Sequence, residues 1–148
     1  MTNNQAVIKG SCFCRRITYH FEGEPATKMV CHCSVCKRLT GSLFSLSYPI
    51  PPTNFTLTSG KPKTLSFTHP AGIDMEIFLC GDCGTWVYKQ CHVEPFEGFY
   101  FVQAGTTDLE PGKEAAGYWS ESPIVELWVT ERAPWLGSIE GAEQRPGF

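Results

Sequence analysis

Seven of the eight cysteines of this 148-residue chain fall into three tight groups, and no other feature constrains the fold as strongly. The groups are Cys12-Phe13-Cys14, Cys31-His32-Cys33-Ser34-Val35-Cys36 and Cys80-Gly81-Asp82-Cys83-Gly84. Cysteines this close can point two sulfur atoms at one ion from a single turn, and Gly84 permits the tight backbone that such a turn needs. An all-sulfur tetrahedral site favours zinc, with an iron–sulfur cluster as the second choice. The three groups therefore predict metal binding.

Clustered cysteines can instead form disulfide bonds, and the N-terminus argues against this use. The segment 1–10 is polar, carries one lysine and contains no apolar run, so we predict no secretory signal peptide. Without one we expect the chain in the reducing cytosol, where clustered thiols bind metals or do chemistry more often than they pair. No stretch approaches the ~20 apolar residues that span a membrane. We therefore expect a cytoplasmic protein with no membrane partner.

The net charge and the length of the chain limit the kinds of partner and the architecture that we expect. A net charge of −3 provides no broad basic face for a phosphate backbone, so we predict no nucleic-acid partner. A chain of 148 residues suits one domain, and we see no internal repeat and no linker long enough to separate two. We expect residues 1–136 to form this domain. Residues 137–148, which contain glycine, glutamate and proline, are expected to form a flexible C-terminal tail.

Short apolar runs between glycine, proline and asparagine predict a mainly β chain. One short helix is predicted over Ser34–Thr40, ended by Gly41. The proline cluster at 49–52 is expected to stop the strand before it. Strands are predicted at Arg16–Glu22, Leu43–Tyr48, Phe55–Thr58, Lys63–Thr68, Met75–Leu79, Thr85–Lys89, Phe99–Gln103 and Ile124–Thr130.

Spacing alone leaves open how the seven grouped cysteines divide between metal ions. A single ribbon-like site could use Cys33, Cys36, Cys80 and Cys83, but it would leave three well-placed thiols without a role. Seven thiolates also divide as four plus three. Four close a tetrahedron and make a structural site, whereas three leave one position open for water or substrate, as in catalytic zinc sites.

The three motifs and their flanks resemble the glutathione-dependent formaldehyde-activating enzyme family, which is grouped with centromere protein V. The similar segments are Gly10–Cys14, Cys31–Ser42, Phe78–Thr85, Glu126–Val129 and Arg132–Leu136. The resemblance implies a β-tent fold of small antiparallel sheets stapled by zinc. It also implies two Zn²⁺ ions per chain, a structural one held by Cys12, Cys14, Cys80 and Cys83 and a second, chemically active one held by Cys31, Cys33 and Cys36.

The same resemblance implies a zinc-dependent carbon–sulfur lyase that acts on glutathione, a possible co-substrate, or on another thiol adduct, as in S-hydroxymethylglutathione chemistry. A thiol bound to zinc loses its proton and becomes a nucleophile or leaving group at neutral pH. The alternative is a non-catalytic, zinc-stapled protein-binding module, which needs only the closed site. A homodimer is compatible with either hypothesis.

Five charged or titratable residues near the cysteines are weaker candidates. His32, between Cys31 and Cys33, is a candidate general acid–base, and the alternative is a histidine that lies behind the metal ligands or on the surface. Arg15, Arg16, Lys37 and Arg38 could clamp the carboxylates of glutathione, because an arginine fork matches a carboxylate, although ordinary solvated charges are the simpler interpretation.

Cys91, next to His92, lies outside the three groups. As a nucleophile it would suit a B-type methionine sulfoxide reductase, a class that shares the β-tent and a four-cysteine zinc. The segment Lys89–Val93 does not resemble the catalytic segment of that class. We therefore expect Cys91 to be a buried small hydrophobic residue.

Overall fold

The computed structural model describes residues 6–108 and 122–148, which form two β-sheets and one α-helix. The helix, α1, spans Ser34–Thr40. The strands are β1 Val7–Ser11, β2 Thr18–Glu22, β3 Met29–Cys31, β4 Ser45–Ile50, β5 Phe55–Ser59, β6 Lys63–Thr68, β7 Asp74–Leu79, β8 Trp86–Cys91, β9 Tyr100–Gln103, β10 Val125–Leu127 and β11 Glu143–Gln144. Within these ranges no helix has the length and apolar character that crossing a membrane would require.

The first sheet has three antiparallel strands in the order β1-β2-β5, and the second has eight in the order β11-β10-β3-β4-β9-β8-β7-β6. In the larger sheet β10 pairs in parallel with both β3 and β11, and the other pairs are antiparallel. The prediction of a mainly β, single-domain chain is confirmed.

Two buried clusters hold the sheets together, and each contains cysteines. The first joins both sheets through Tyr19, Phe55 and Val102, and it also buries Cys12 and Cys80. The second lies on the larger sheet and surrounds the cysteines at 31, 33 and 36 with Met75, Ile77, Phe101 and Leu127 among others. Full burial of such a side chain contributes about 1.5–3 kcal/mol. The core therefore fixes the cysteine-bearing turns in place.

The helix begins and ends where the sequence predicts. Cys33 is its N-cap, and the Cys33 Sγ accepts the backbone N–H of Cys36 at 3.3 Å. Gly41 ends it with a left-handed φ of 66°, and its N–H donates to the carbonyl of Lys37. A helix of seven residues is too short to be stable alone, so its position depends on these caps and on packing.

Three short strands, β1, β3 and β11, are not predicted, and every predicted strand except β6 differs from the structure at one or both ends, most of all β4 and β10. β4 continues through Pro49 to Ile50, because β3 pairs only with Ser45–Ser47 and leaves the strand without a neighbour on that side beyond this point. β10 ends at Leu127 because Trp128 takes a left-handed φ of 56°. The buried β3 offers no alternation of apolar and polar residues for a sequence pattern to show.

The segment 137–148, expected from the sequence to form a flexible tail, packs on the domain in this structure. Its strand β11 pairs with β10. The backbone N–H of Ile139 and the Nε2 of Gln144 both donate to Glu126 Oε2, at 2.8 and 2.7 Å. Phe148 packs with its ring 5.4 Å from that of Trp128. Ile139 and Gln144 thus supply hydrogen-bond donors that the buried carboxylate of Glu126 on β10 needs.

Candidate metal centres and an adjoining cavity

The sulfur atoms of Cys12, Cys14, Cys80 and Cys83 lie within 4.8 Å of one another. Cys14 Sγ lies 3.6 Å from Cys12 Sγ and 3.7 Å from Cys80 Sγ. Four sulfurs at about 2.3 Å from one zinc ion would be about 3.8 Å apart, whereas a disulfide bond measures about 2.05 Å. All eight cysteines are free of disulfides. The four-cysteine cluster therefore fits a closed tetrahedral zinc site.

Thr85 ties the two loops of the four-cysteine cluster together. Its hydroxyl oxygen accepts the backbone N–H of Phe13 at 3.1 Å and lies 3.2 Å from Cys83 Sγ. Hydrogen bonding from Thr85 lowers the pKa of Cys83 to about 5, which favours the thiolate, the form that binds metal. Gly84 turns the loop with a φ of 76°, as its place after Cys83 predicts.

The sulfur atoms of Cys31, Cys33 and Cys36 form the second cluster, also within 4.8 Å of one another. Cys31 ends β3, Cys33 caps α1 and Cys36 lies in its first turn, so a strand end and a helix start meet here. All three side chains are buried. Hydrogen bonds from Cys31 and Cys33 lower the pKa of Cys36. Three converging soft donors fit a zinc ion whose fourth position is left to another ligand.

A cavity of about 340 Å³ adjoins the three-cysteine cluster. Cys31 and Cys91 are part of its wall, together with Lys89 and Arg145, and most of the other described lining residues are apolar. None of the four cysteines of the first cluster lines this cavity. Cys91 is buried, as expected, but its position in the same wall as Cys31 is not something that the sequence indicated.

Lys89 is the buried cation beside this cluster, and sequence reasoning missed it. Its residue is only 6% exposed, and Nζ lies 5.5 Å from the Phe101 ring centre and 6.0 Å from that of Trp86. Burial alone would lower the pKa of Lys89, but the sulfurs of Cys36 and Cys91, in their ionised forms, raise it. The available signal was the spacing of two between Lys89 and Cys91 on β8, which puts both side chains on one face.

His69 is a second missed residue near these sulfurs. It lines a narrow gap together with Cys33 and Cys36. Its Nδ1 accepts the backbone N–H of Ala71 at 3.0 Å, so the neutral ring carries its proton on Nε2. That buried Nε2 has no hydrogen-bond partner within residues 6–108 and 122–148. The Nε2–H of His69 is thus a hydrogen-bond donor in the gap that Cys33 and Cys36 also line.

His32 lies away from the cavity and supports the ligand loop. It is 1% exposed, and its Nε2 lies 2.8 Å from Glu126 Oε1. Burial would raise the pKa of Glu126, but the donors Gln144, Ile139 and His32 lower it. The buried pair therefore fixes the residue between Cys31 and Cys33 to strand β10.

We expect Glu126→Ala to lower the free energy of unfolding by about 3–5 kcal/mol, because it leaves the buried Nε2–H of His32 and the half-buried backbone N–H of Ile139 unpaired. Urea denaturation of the metal-loaded protein measures the loss. Glu97→Ala is the matched control, since Glu97 pairs with His92 while 52% of its side chain is exposed, and we expect a loss below about 1 kcal/mol. Equal losses in the two variants would contradict a structural role for the buried pair.

The four basic residues expected to clamp glutathione do not line the cavity. Arg15 and Arg16 follow Cys14 at the other cluster, where Arg16 forms an ion pair with Asp82 at 3.0 Å. Lys37 donates to the backbone carbonyl of Glu131, and Arg38 is exposed on α1. Cys36 occupies the buried side of this short helix, so Lys37 and Arg38 lie on its other sides. The cations in the cavity wall are Lys89 and Arg145 instead.

Comparison with known proteins shows which family the chain belongs to. The family model described as glutathione-dependent formaldehyde-activating enzyme matches residues 7–130, which include both cysteine clusters. The chain belongs to this family. The fold also resembles a crystal structure of a Rhodobacter sphaeroides protein, with a TM-score of 0.52 and 18% identity, over 70% of this chain and 91% of that one.

Fungal relatives carry the family's name provisionally, as glutathione-dependent formaldehyde-activating enzymes. One from Aspergillus flavus is 28% identical over 118 residues, which is 78% of this chain and 61% of the relative. One from Talaromyces marneffei is 32% identical over 97 residues, which is 65% of this chain and 51% of the relative. The chain thus spans about three fifths or less of the length of these family members.

Proposed function

We propose that the chain is a zinc-dependent carbon–sulfur lyase that joins glutathione, or another thiol, to formaldehyde or a related carbonyl compound, and reverses that step. One observation carries the proposal: Cys31 belongs to a cluster of three converging thiols and also to the wall of a cavity of about 340 Å³. A metal site beside a cavity is the arrangement expected for chemistry on a small molecule. The family name supplies the candidate thiol and carbonyl compound.

The two clusters have different roles in this proposal. Cys12, Cys14, Cys80 and Cys83 would hold a structural zinc that joins the N-terminal loop to the turn after β7. Cys31, Cys33 and Cys36 would hold the second zinc, which when bound supplies a position where a thiol is deprotonated and activated.

The charge of the three-cysteine cluster explains the place of Lys89. Three thiolates and one Zn²⁺ carry a net charge of about −1, and an incoming thiolate would add to it. The ammonium of Lys89, buried beside these sulfurs, offsets that charge. Lys89 therefore favours the anionic form of the incoming thiol, in surroundings where burial strengthens electrostatic interactions.

The proposed reaction needs no oxidant or reductant. The thiol sulfur forms a bond to the carbonyl carbon while the π pair of the C=O bond moves to oxygen. The proton lost by the thiol ends on that oxygen, which gives an S-hydroxyalkyl adduct. In reverse, the C–S bond breaks and the carbonyl compound leaves. The apolar wall limits the access of bulk water to this step.

The test begins with metal content. We expect two zinc ions per chain in protein purified without added metal, and in cobalt-substituted protein we expect glutathione to change the absorption of one of the two sites. Proton NMR should then show faster exchange between glutathione plus formaldehyde and S-hydroxymethylglutathione when the holoprotein is present. A single tight zinc that is indifferent to thiols would contradict the proposal and favour the zinc-stapled binding module.

A further inference from the structure

The cavity wall is suited to hydrocarbon. Its described apolar members include Met29, Met75, Phe96, Phe101 and Leu127. Covering such a wall stabilises a ligand by about 25 cal/mol per Å² of apolar surface removed from water. Amide and charged groups that enter without partners cost free energy. Glutathione would bring two peptide bonds, two carboxylates and an ammonium, so much of its surface would be unsuited to this wall.

Within this wall Lys89 is a buried cation that no described carboxylate neutralises. Its Nζ lies 5.5 Å from the Phe101 ring centre and 6.0 Å from that of Trp86, and the charges that raise its pKa are those of ionised cysteine sulfurs. Among residues 6–108 and 122–148, no ion pair is formed by Lys89. A buried ammonium is costly unless an anion faces it. An anionic group of a ligand in the cavity would meet this cation directly.

Arg145, the other cation in the wall, is already paired. Its Nε and Nη2 donate to the two carboxylate oxygens of Glu143 at 2.8 and 3.0 Å. The Arg145 side chain is also 43% exposed, so water weakens its attraction for a further anion. The described wall also carries the exposed carboxylate of Glu94. Its one cation without a carboxylate partner among the described residues is Lys89, so the wall suits one carboxylate better than two.

We propose that the cavity selects thiols that combine one carboxylate with an apolar, aromatic body, and that Lys89 binds this carboxylate. The thiol sulfur lies beside Cys31, and the hydrocarbon packs against Phe96, Phe101 and Leu127. The inference rests on the proposed thiol chemistry of the site and replaces glutathione as the favoured thiol. Lys89 and Cys31 line the same cavity, so a ligand with its sulfur and its carboxylate only a few bonds apart is the simplest one that could reach both.

Isothermal titration calorimetry of the zinc-loaded protein tests the inference with three probes: 2-benzyl-3-mercaptopropanoate, its methyl ester and glutathione. The acid should bind about 10- to 100-fold more tightly than the ester, as expected for a hydrogen bond between charged groups. It should also bind at least about tenfold more tightly than glutathione, because its phenyl ring covers the apolar wall. These comparisons need no variant.

Substitution then assigns the carboxylate to Lys89. Lys89→Met should remove the preference of the acid over the ester, and Lys89→Arg should keep most of it. Lys63→Met, which replaces an exposed lysine on β6, is the matched control and should leave the preference unchanged. Zinc content and thermal unfolding verify that each variant is folded.

The outcomes separate the inference from the proposed function. If Lys89→Met weakens acid and ester by the same factor, Lys89 serves only the sulfur cluster and the inference is overturned. If glutathione binds the unmodified protein as tightly as the acid, the apolar selection is overturned while thiol chemistry stands. If none of the three thiols binds, both the inference and the proposed function fail.

Discussion

Replacing Cys80 with alanine is expected to unfold the chain. Cys80 is 1% exposed and belongs both to the core that joins the two sheets and to the four-cysteine cluster. A structural zinc site contributes about 10–16 kcal/mol of apparent folding free energy in small zinc domains, which matches the total stability of about 5–15 kcal/mol of a typical protein. The loss of one of four ligands should therefore exceed what the rest of the fold supplies.

The reason for so large an effect is the length of chain that the cluster closes. Cys14 and Cys80 are 66 positions apart, and the bond from Phe13 to Thr85 spans 72. A metal ion that joins such distant segments restricts the unfolded chain, and this stabilisation grows with the size of the closed loop. The smaller sheet, with β1 and β2 on either side of the Cys12 loop, should separate from the larger one when the link is lost.

Zinc content and a circular dichroism melt measure this prediction. The control is Cys91→Ala, which removes an equally buried thiol outside both clusters. We expect it to keep all its zinc and to lose only about 1 kcal/mol, as for other small deletions in a core. A Cys80→Ala protein that melts cooperatively near the temperature of the unmodified chain would contradict a structural metal at this cluster.

Much of the secondary structure could be predicted because it depends on local sequence patterns. The helix after Cys33 has its cap, its apolar residues and Gly41 within one short segment, so its bounds follow from the sequence. Most strands show turn residues on both sides. The grouping of the cysteines also carries information, since sulfurs two or three positions apart can share an ion whatever the rest of the fold does.

What could not be predicted depends on residues that meet only after folding. Glu126 and His32 are 94 positions apart and pair in the core, and this pair also explains why the tail packs against β10. In the sequence Lys89 has no feature that separates it from an ordinary strand lysine. Its position beside the sulfur cluster depends on how β8 and α1 pack together. The basic residues near the cysteines do not line the cavity for the opposite reason, because closeness in sequence does not decide which side of a short loop faces the cavity.

Replacing Cys31 with alanine is expected to abolish the thiol chemistry while the fold remains. Cys31 is the ligand that permits a clean test, because Cys33 also caps α1 through its sulfur and Cys31 has no capping role. Its backbone pairs with β4 and β10 are unaffected by the change. We expect zinc to fall from two ions to one per chain and the rate to fall by at least about 100-fold, since losing even an outer partner of a metal ligand costs about 10–100-fold.

The contrast between Cys31→Ala and Cys80→Ala distinguishes an open, reactive cluster from a closed, structural one. The first variant should melt within a few degrees of the unmodified protein, because the four-cysteine cluster and both sheets are intact. Cys91→Ala, which removes a neighbouring thiol from the same cavity wall, should retain two zinc ions and most of the activity. Full activity of Cys31→Ala with one zinc ion would exclude the three-cysteine cluster from the reaction. In that case zinc would only stabilise the fold, and the cavity would belong to a non-catalytic binding module.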